Sequence, residues 1–294
     1  IGIKYGNDNE NTCFGVILLL CFQNLCIGLG AHLALNTDGS LKFITQIPFM
    51  TIAIIWIVTV LKEFKKTKKI NIKDNIWIIL YFICIAISVV INRGSLNSIL
   101  INTRNMTVFY MAYIIGKKCI STKEQLDSFY KKYIKLMYFV FGVGIILLAF
   151  DYKLYEIIGM NEVYIAKGGS GVNNALDSRF YTKLFSFSVI RMGSIYYEPV
   201  NLAYFFAFGF IMSLYYNKNN QTNRWLNIII SGTGLFLTYG KGGYMIVGLV
   251  MFFVIFDKYI KLLLNRISKK KRNFVAIVLM IVIVSTVVNV YIQK

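Results

Sequence analysis

The chain reads as long apolar runs broken by short polar intervals, most of them rich in lysine. Nine apolar stretches occupy about 13–30, 44–61, 75–92, 98–116, 134–150, 199–216, 225–240, 242–257 and 274–292. Each approaches the roughly 17–25 residues that a helix needs to cross a bilayer. The pattern predicts an all-α, polytopic membrane bundle of about nine transmembrane helices. The fourth stretch is weakened by Asn102, Arg104 and Asn105. The seventh and eighth are short and meet at Gly240-Lys241-Gly242-Gly243, which predicts a tight hairpin with glycine supplying the positive φ of a helix-ending turn. No basic lead or small-residue cleavage site frames the first stretch, so it does not read as a secretory signal.

One interval differs from the rest. Residues 151–198 form the single long extracytoplasmic loop expected in an otherwise continuous membrane domain over 1–294. Long loops without regular structure usually carry function or disorder. Phe180, Tyr181, Phe185, Phe187, Tyr196 and Tyr197 make this one too aromatic for a plain linker. They are expected to lay it along the membrane interface, and the same residues also suit an aromatic belt with no catalytic duty. Neither a soluble domain nor an internal repeat is evident.

Composition sharpens this picture. Of 294 residues 57% are apolar, mean hydropathy is +0.61, and only 15% are charged, against about a quarter in a soluble domain. That excludes an ordinary soluble enzyme, a disordered chain and a disulfide-built secreted module. The net charge of +19, from 32 Lys+Arg against 13 Asp+Glu, raises the question of nucleic acid. Placement answers it. With the N-terminus inside, one face collects Lys4, the lysines of 62–73 and 117–135, Lys218, Arg224 and the basic residues from Lys258 to Arg272, 22 of the 32. Such a bias sets orientation, with the N-terminus inside and the C-terminus outside. The runs KEFKKTKK and ISKKKR each lie just beyond an apolar stretch, where anionic inner-leaflet lipid attracts them. Lipid bilayer, and no nucleic acid, is the expected partner. The odd count of five cysteines argues against a disulfide framework.

Several soluble-enzyme motifs fail. Gly234 to Lys241 imitates a phosphate-binding loop, but five residues separate Gly234 from Gly240 and Gly242 replaces the magnesium-holding Ser or Thr. Gly168-Gly169-Ser170-Gly171 lacks the closing glycine of a nucleophile elbow. His32, the single histidine, has no ligand cluster around it, so neither metal nor other cofactor is expected. Asp8-Asn9-Glu10 reads as a solvated tail. What remains is a set of ionisable residues near the outer face. Glu198 precedes Pro199, a residue suited to the first helical position. Lys241 heads the eighth stretch, so two helix starts face outward with Arg191 and Lys241 beside them. Free helix N–H groups and full cationic charges together make an anion site, phosphate in particular. Arg104, costly in lipid, should face a polar interior or reach outward. Each has a plainer alternative. Lys241 suits a turn residue reaching for water and Arg191 an interfacial anchor, Glu198 suits a helix cap or a partner for Arg191, and Arg104 suits a packed ion pair. Their shared side favours function, and it predicts that Arg191, Glu198 and Lys241 line one outward-opening cavity.

At these residues the chain resembles the O-antigen polymerase and ligase family of bacterial envelope glycosyltransferases. Arg191-Met192-Gly193-Ser194-Ile195-Tyr196-Tyr197-Glu198-Pro199-Val200-Asn201 is similar to that family's run of Arg, small residue, aromatic, then Glu-Pro-Asn or Asn-Pro-Asn. Leu237-Thr238-Tyr239-Gly240-Lys241-Gly242-Gly243 looks like its Leu-Thr-x-Ser-Arg-Gly-Gly stretch, with Gly240 and Lys241 replacing Ser and Arg. The resemblance covers roughly residues 75 to 292. It implies a metal-independent enzyme of the bacterial cytoplasmic membrane that joins oligosaccharide units carried on undecaprenyl pyrophosphate into capsule, exopolysaccharide or O-antigen. Its partners would be a lipid-linked donor and acceptor, with a flippase and a chain-length regulator. By the same analogy Arg191 and Lys241 hold the leaving diphosphate and Glu198 is a base or orients Arg191, while Arg104, Tyr197 and Asn201 contact substrate. The family usually continues with a second outer loop carrying another Arg, so either the chain extends beyond Lys294 or that loop is missing from it. The alternatives are a ligase of the same family, a transporter or flippase of lipid-linked sugars, and a non-catalytic membrane component. A transporter is expected to show repeated halves and charges near the bilayer midplane.

Overall fold

The computed structural model describes residues 9–32, 46–67, 81, 83–87, 96–150, 153–160, 163–164, 180–184, 187–215 and 221–264. It is mostly helical. The helices are α1 (Asn9–His32), α2 (Ile47–Thr67), α3 (Leu96–Cys119), α4 (Lys123–Ala149), the short α5 (Lys153–Ile157), α6 (Pro199–Tyr215), α7 (Gln221–Thr238) and α8 (Lys241–Leu264). Among the described residues, two helical segments, Glu10–Gly30 and Lys123–Ala149, are long and apolar enough to cross a membrane, while Ile47–Lys62, Pro199–Tyr215 and Lys241–Phe256 are apolar but shorter. Of the expected third stretch only Tyr81 and residues 83–87 are described, and they are helical. The expected ninth, 274–292, lies outside the described residues. The chain divides into two compact units, Ile1–Gly243 and Tyr244–Lys294. The described part of the second unit is the body of α8, with Met245, Leu249, Phe252 and Phe253 exposed.

Side-chain pairings fix the helix directions in the first unit. Arg104 of α3 meets Gln46 and Phe49 at the start of α2, and farther along Trp56 packs edge-on to Tyr110. Thus α2 and α3 are parallel neighbours, separated in sequence by the interval of the expected third stretch. α1 and α4 are also parallel, paired at one end through Glu10 and Ser128, then through stacked Phe22 and Phe139, then through Ile27 and Leu147. α6 runs back against α7, with Phe206 against Gly234, Phe210 against Gly232, and the Arg224 guanidinium donating to Leu214 O near the end of α6 at 2.8 Å. Close fit at Gly232 and Gly234 and the bond from Arg224 to Leu214 O hold α6 and α7 together.

Three local features depart from the sequence expectation. Glu10 is no solvated tail residue. It lies in the first turn of α1 and stands 3.6 Å from Lys132 Nζ, its side chain only 14% exposed, because the start of α1 packs beside the second and third turns of the parallel α4. The helix holding the fifth stretch begins not at 134 but at Lys123. A reciprocal cap starts it: Gln125 N donates to Thr122 Oγ1 at 3.3 Å and Thr122 N to Gln125 Oε1 at 3.1 Å. Apolar run length cannot register this polar first half, which still buries Phe129, Tyr130 and Tyr133. Thr122→Ala should therefore cost about 1 kcal/mol, measured as a small fall in the thermal midpoint of the detergent-purified protein, and Thr122→Ser should recover most of it.

The third departure is the 151–198 interval. It contains α5 and an antiparallel hairpin of β1 (Tyr181–Leu184) and β2 (Phe187–Ile190), in register Tyr181↔Ile190 through Leu184↔Phe187. Its aromatics do not simply lie along an interface. Phe180 and Tyr197 are buried with Tyr155, Met160, Val163 and Tyr164 against Ile27 of α1 and Leu147 of α4, whereas Phe187 is 75% exposed. Phe185 lies outside the described residues.

Candidate functional site

The hairpin delivers Arg191. Its backbone N–H donates to Phe180 O at 2.7 Å, extending the ladder by one bond, and the next N–H, that of Met192, donates to Leu237 O at 2.9 Å. The Arg191 side chain follows the same path, Nε donating to Thr238 O at 2.9 Å. Two sequence patches 47 residues apart are thereby joined at the C-terminal end of α7. Arg191 is half-buried, and burial pulls its pKa below the ordinary arginine value. Desolvation opposes the charged form, so an anion arriving there would offset that cost.

Thr238 is fully buried and completes the turn. Its hydroxyl donates to Leu235 O at 2.6 Å and accepts from Gly240 N at 3.2 Å. The left-handed residue of this hairpin is Tyr239, φ 47°, rather than a glycine. Gly240 is needed for another reason: a Cβ there would overlap the Cβ of Ala203 on α6. Gly243 also approaches Ala203, a Cβ there falling 2.9 Å from the Ala203 carbonyl oxygen. The first turns of α6 and α8 therefore touch, and exposed Lys241 heads α8 beside them.

Glu198 comes from a strained turn. Residues Ser194–Tyr196 form a 3₁₀ turn, then Tyr197 adopts φ 53° and Pro199 begins α6. Pro199 occupies the first helical position, where its missing N–H costs nothing. Asn201 Nδ2 donates to Glu198 Oε2 at 2.7 Å. Ser194 (φ 46°), Tyr197 and Tyr239 are the non-glycine residues with positive φ among the described residues, and all lie in the two patches. Such conformations cost about 1–3 kcal/mol each, and they persist where surroundings over-determine them, often at functional sites.

The surroundings can be named. Ser194 Oγ donates to Val140 O at 2.6 Å, Tyr164 Oη to Tyr197 O at 2.7 Å, and Tyr197 Oη to Ile158 O at 2.8 Å. Gly193 N donates to Tyr155 Oη at 3.2 Å, and burial raises the Tyr155 pKa so that the phenol stays neutral. Met192, Ser194 and Tyr197 are almost wholly buried.

No family model, curated protein or solved structure matches the chain.

The site therefore stands on its own geometry. The structure brings Arg191 to the turn before Lys241 and Glu198 to Asn201. Tyr197, expected among the substrate contacts, is 1% exposed and contributes its phenol to the loop core instead. Arg104 is at the start of the parallel α2–α3 pair, donating to Gln46 and lying 5.9 Å from the Phe49 ring centre. A cavity of about 400 Å³ opens over the hairpin that leads to Arg191, lined by Tyr181, Thr182, Lys183 and Ser188. Arg191, Glu198 and Lys241 are not among those lining residues. Two contributors escape the sequence reading. Thr238 acts through its carbonyl, which any residue possesses. Asn24 of α1 donates to Tyr196 O, and its signal was available: an amide within an apolar run is costly unless it has a task.

Proposed function

We propose that this chain is an integral membrane glycosyltransferase that polymerises undecaprenyl-pyrophosphate-linked oligosaccharide units into a surface polysaccharide without a metal. An acceptor hydroxyl forms a bond to the anomeric carbon of the donor sugar while the bond from that carbon to the diphosphate oxygen breaks. The lipid diphosphate leaves with the electron pair, and the hydroxyl proton passes to Glu198. Charge grows on the diphosphate in the transition state, where preorganised cations contribute most. Arg191 and Lys241 fill that role, with Asn201 holding the Glu198 carboxylate.

The observation that carries this reading is the 2.9 Å bond from Arg191 Nε to Thr238 O, which joins the two cation-bearing patches. The parallel pairs α1–α4 and α2–α3 also support it. Alternate crossing from an inside N-terminus would give just those directions, with the Arg191 turn and Lys241 at the outer face of a bacterial cytoplasmic membrane.

Deleting the gene in its host should abolish long surface polymer and leave single lipid-linked units to accumulate. Complementation with Lys241→Ala should lower chain growth by less than the roughly hundredfold typical of a preorganised donor, because Lys241 is exposed, and Lys241→Arg should restore it. Polymer of unchanged length in the deletion strain itself would overturn the assignment.

A further inference from the structure

The N-terminal helix lies outside both patches, yet it is bound into the turn that carries Glu198. Asn24 Nδ2 donates to Tyr196 O, and Cys21 Sγ lies 2.7 Å from Tyr196 Oη. One helical turn beyond Asn24, Gly28 meets the backbone of Ile158 and Gly159 so closely that a Cβ on either glycine would overlap the other strand of chain. Ile27, between them, is buried in the same cluster as Tyr155 and Tyr197. α1 thus holds the loop at three successive levels.

Asn24 is the unusual member. It is 6% exposed, and its Oδ1 is a buried acceptor with no hydrogen-bond partner among the described residues. An orphaned buried acceptor is destabilising, whereas an apolar residue of similar shape carries no such penalty. Packing alone therefore does not account for an amide here. What the amide supplies is one donor aimed at the carbonyl of Tyr196. The next residue is the strained Tyr197 and the one after is Glu198. Releasing Tyr196 O removes one of the restraints around the left-handed Tyr197, φ 53°.

We infer that Asn24 is a positioning residue: through Tyr196 O it fixes the left-handed turn at Tyr197 and thereby the direction of the Glu198 side chain. Its importance for chain growth rests on the function proposed above, but the geometry can be tested without any activity. The probe is a membrane-impermeant maleimide applied to full-length protein carrying Glu198→Cys, with labelling of the otherwise unchanged chain subtracted as background. In the Asn24→Leu background, the labelling rate at position 198 should change by about fivefold or more, while membrane abundance stays within twofold. An unchanged rate overturns the inference, whatever happens to the polymer. If Asn24→Leu does not accumulate, Asn24→Ser serves the same purpose, because serine is too short to reach the carbonyl. Failure of both to accumulate would assign Asn24 to folding alone and equally overturn the inference. Polymer length in strains bearing Asn24→Leu with native Glu198 is read separately. A shifted labelling rate with full-length polymer would count against the function and leave the positioning role standing.

Discussion

Arg191→Ala is expected to lower polymer formation by about a hundredfold or more. Removing one preorganised donor from a developing oxyanion typically costs that much. Here the donor is a full charge held by the Nε bond to Thr238 O. Arg191→Lys should recover little. Lysine keeps the charge but loses the planar fork and the Nε–H, so nothing directs its ammonium from the Thr238 carbonyl. The measurement is repeat-unit incorporation in membranes of the deletion strain, together with chain length by gel and the amount of protein in the membrane. That last control matters, because either variant leaves the Thr238 carbonyl without its Arg191 partner, at a cost of about 1–3 kcal/mol if it stays dry. An alanine variant that accumulates normally and grows polymer at the parent rate would remove Arg191 from the site.

Gly159→Ala should be the most destabilising single-methyl change in the loop, by about 2–5 kcal/mol. Two costs combine. Gly159 has φ 77°, which carries a penalty of about 1–2 kcal/mol for an L side chain. The new Cβ would also overlap the Gly28 backbone, and overpacking typically costs about 1–3 kcal/mol. Backbone on both sides cannot rotate away, unlike the flexible Met192 side chain that faces Gly144. Gly28→Ala meets the same crowding from the Ile158 carbonyl, but alanine gains about 1 kcal/mol of helix propensity, so its loss should be smaller. Thermal midpoints in detergent rank the three proteins; parent-like stability in Gly159→Ala would show that the contact yields.

Several helices were legible because a long apolar run with few charges marks a helix in apolar surroundings. Runs 13–30, 199–216 and 225–240 each fall within a couple of residues to a turn of α1, α6 and α7. The polar first half of α4 was hidden, since it depends on the Thr122–Gln125 cap and on aromatic burial rather than on hydropathy. The hairpin was hidden for a different reason. Tyr181-Thr182 and Val189-Ile190 have strand-favouring side chains, but no two-residue glycine turn marks the reversal. In the candidate site, charge and proline placed Arg191, Glu198 and Lys241, because ionisable groups beside apolar runs stand out. Tyr197 and Asn24 show the limit. Whether an aromatic faces a ligand or a core, and which distant carbonyl an amide reaches, depend on contacts remote in sequence: 39 residues from Tyr197 to Ile158 and 172 from Asn24 to Tyr196.

That separation bears on how the protein is made. The Asn24–Tyr196 bond spans 172 residues, and the Arg191 bond is closed only once Thr238 has been added. Contacts so remote along a chain form slowly, and translation supplies their halves many seconds apart at ~5–20 residues per second. Until then Asn24 and Gly28 lack the partners that Tyr196 and Gly159 supply in the finished fold. The bond from α1 to the Glu198 turn can therefore close only after residue 196 has been made, and the Arg191 bond only after residue 238.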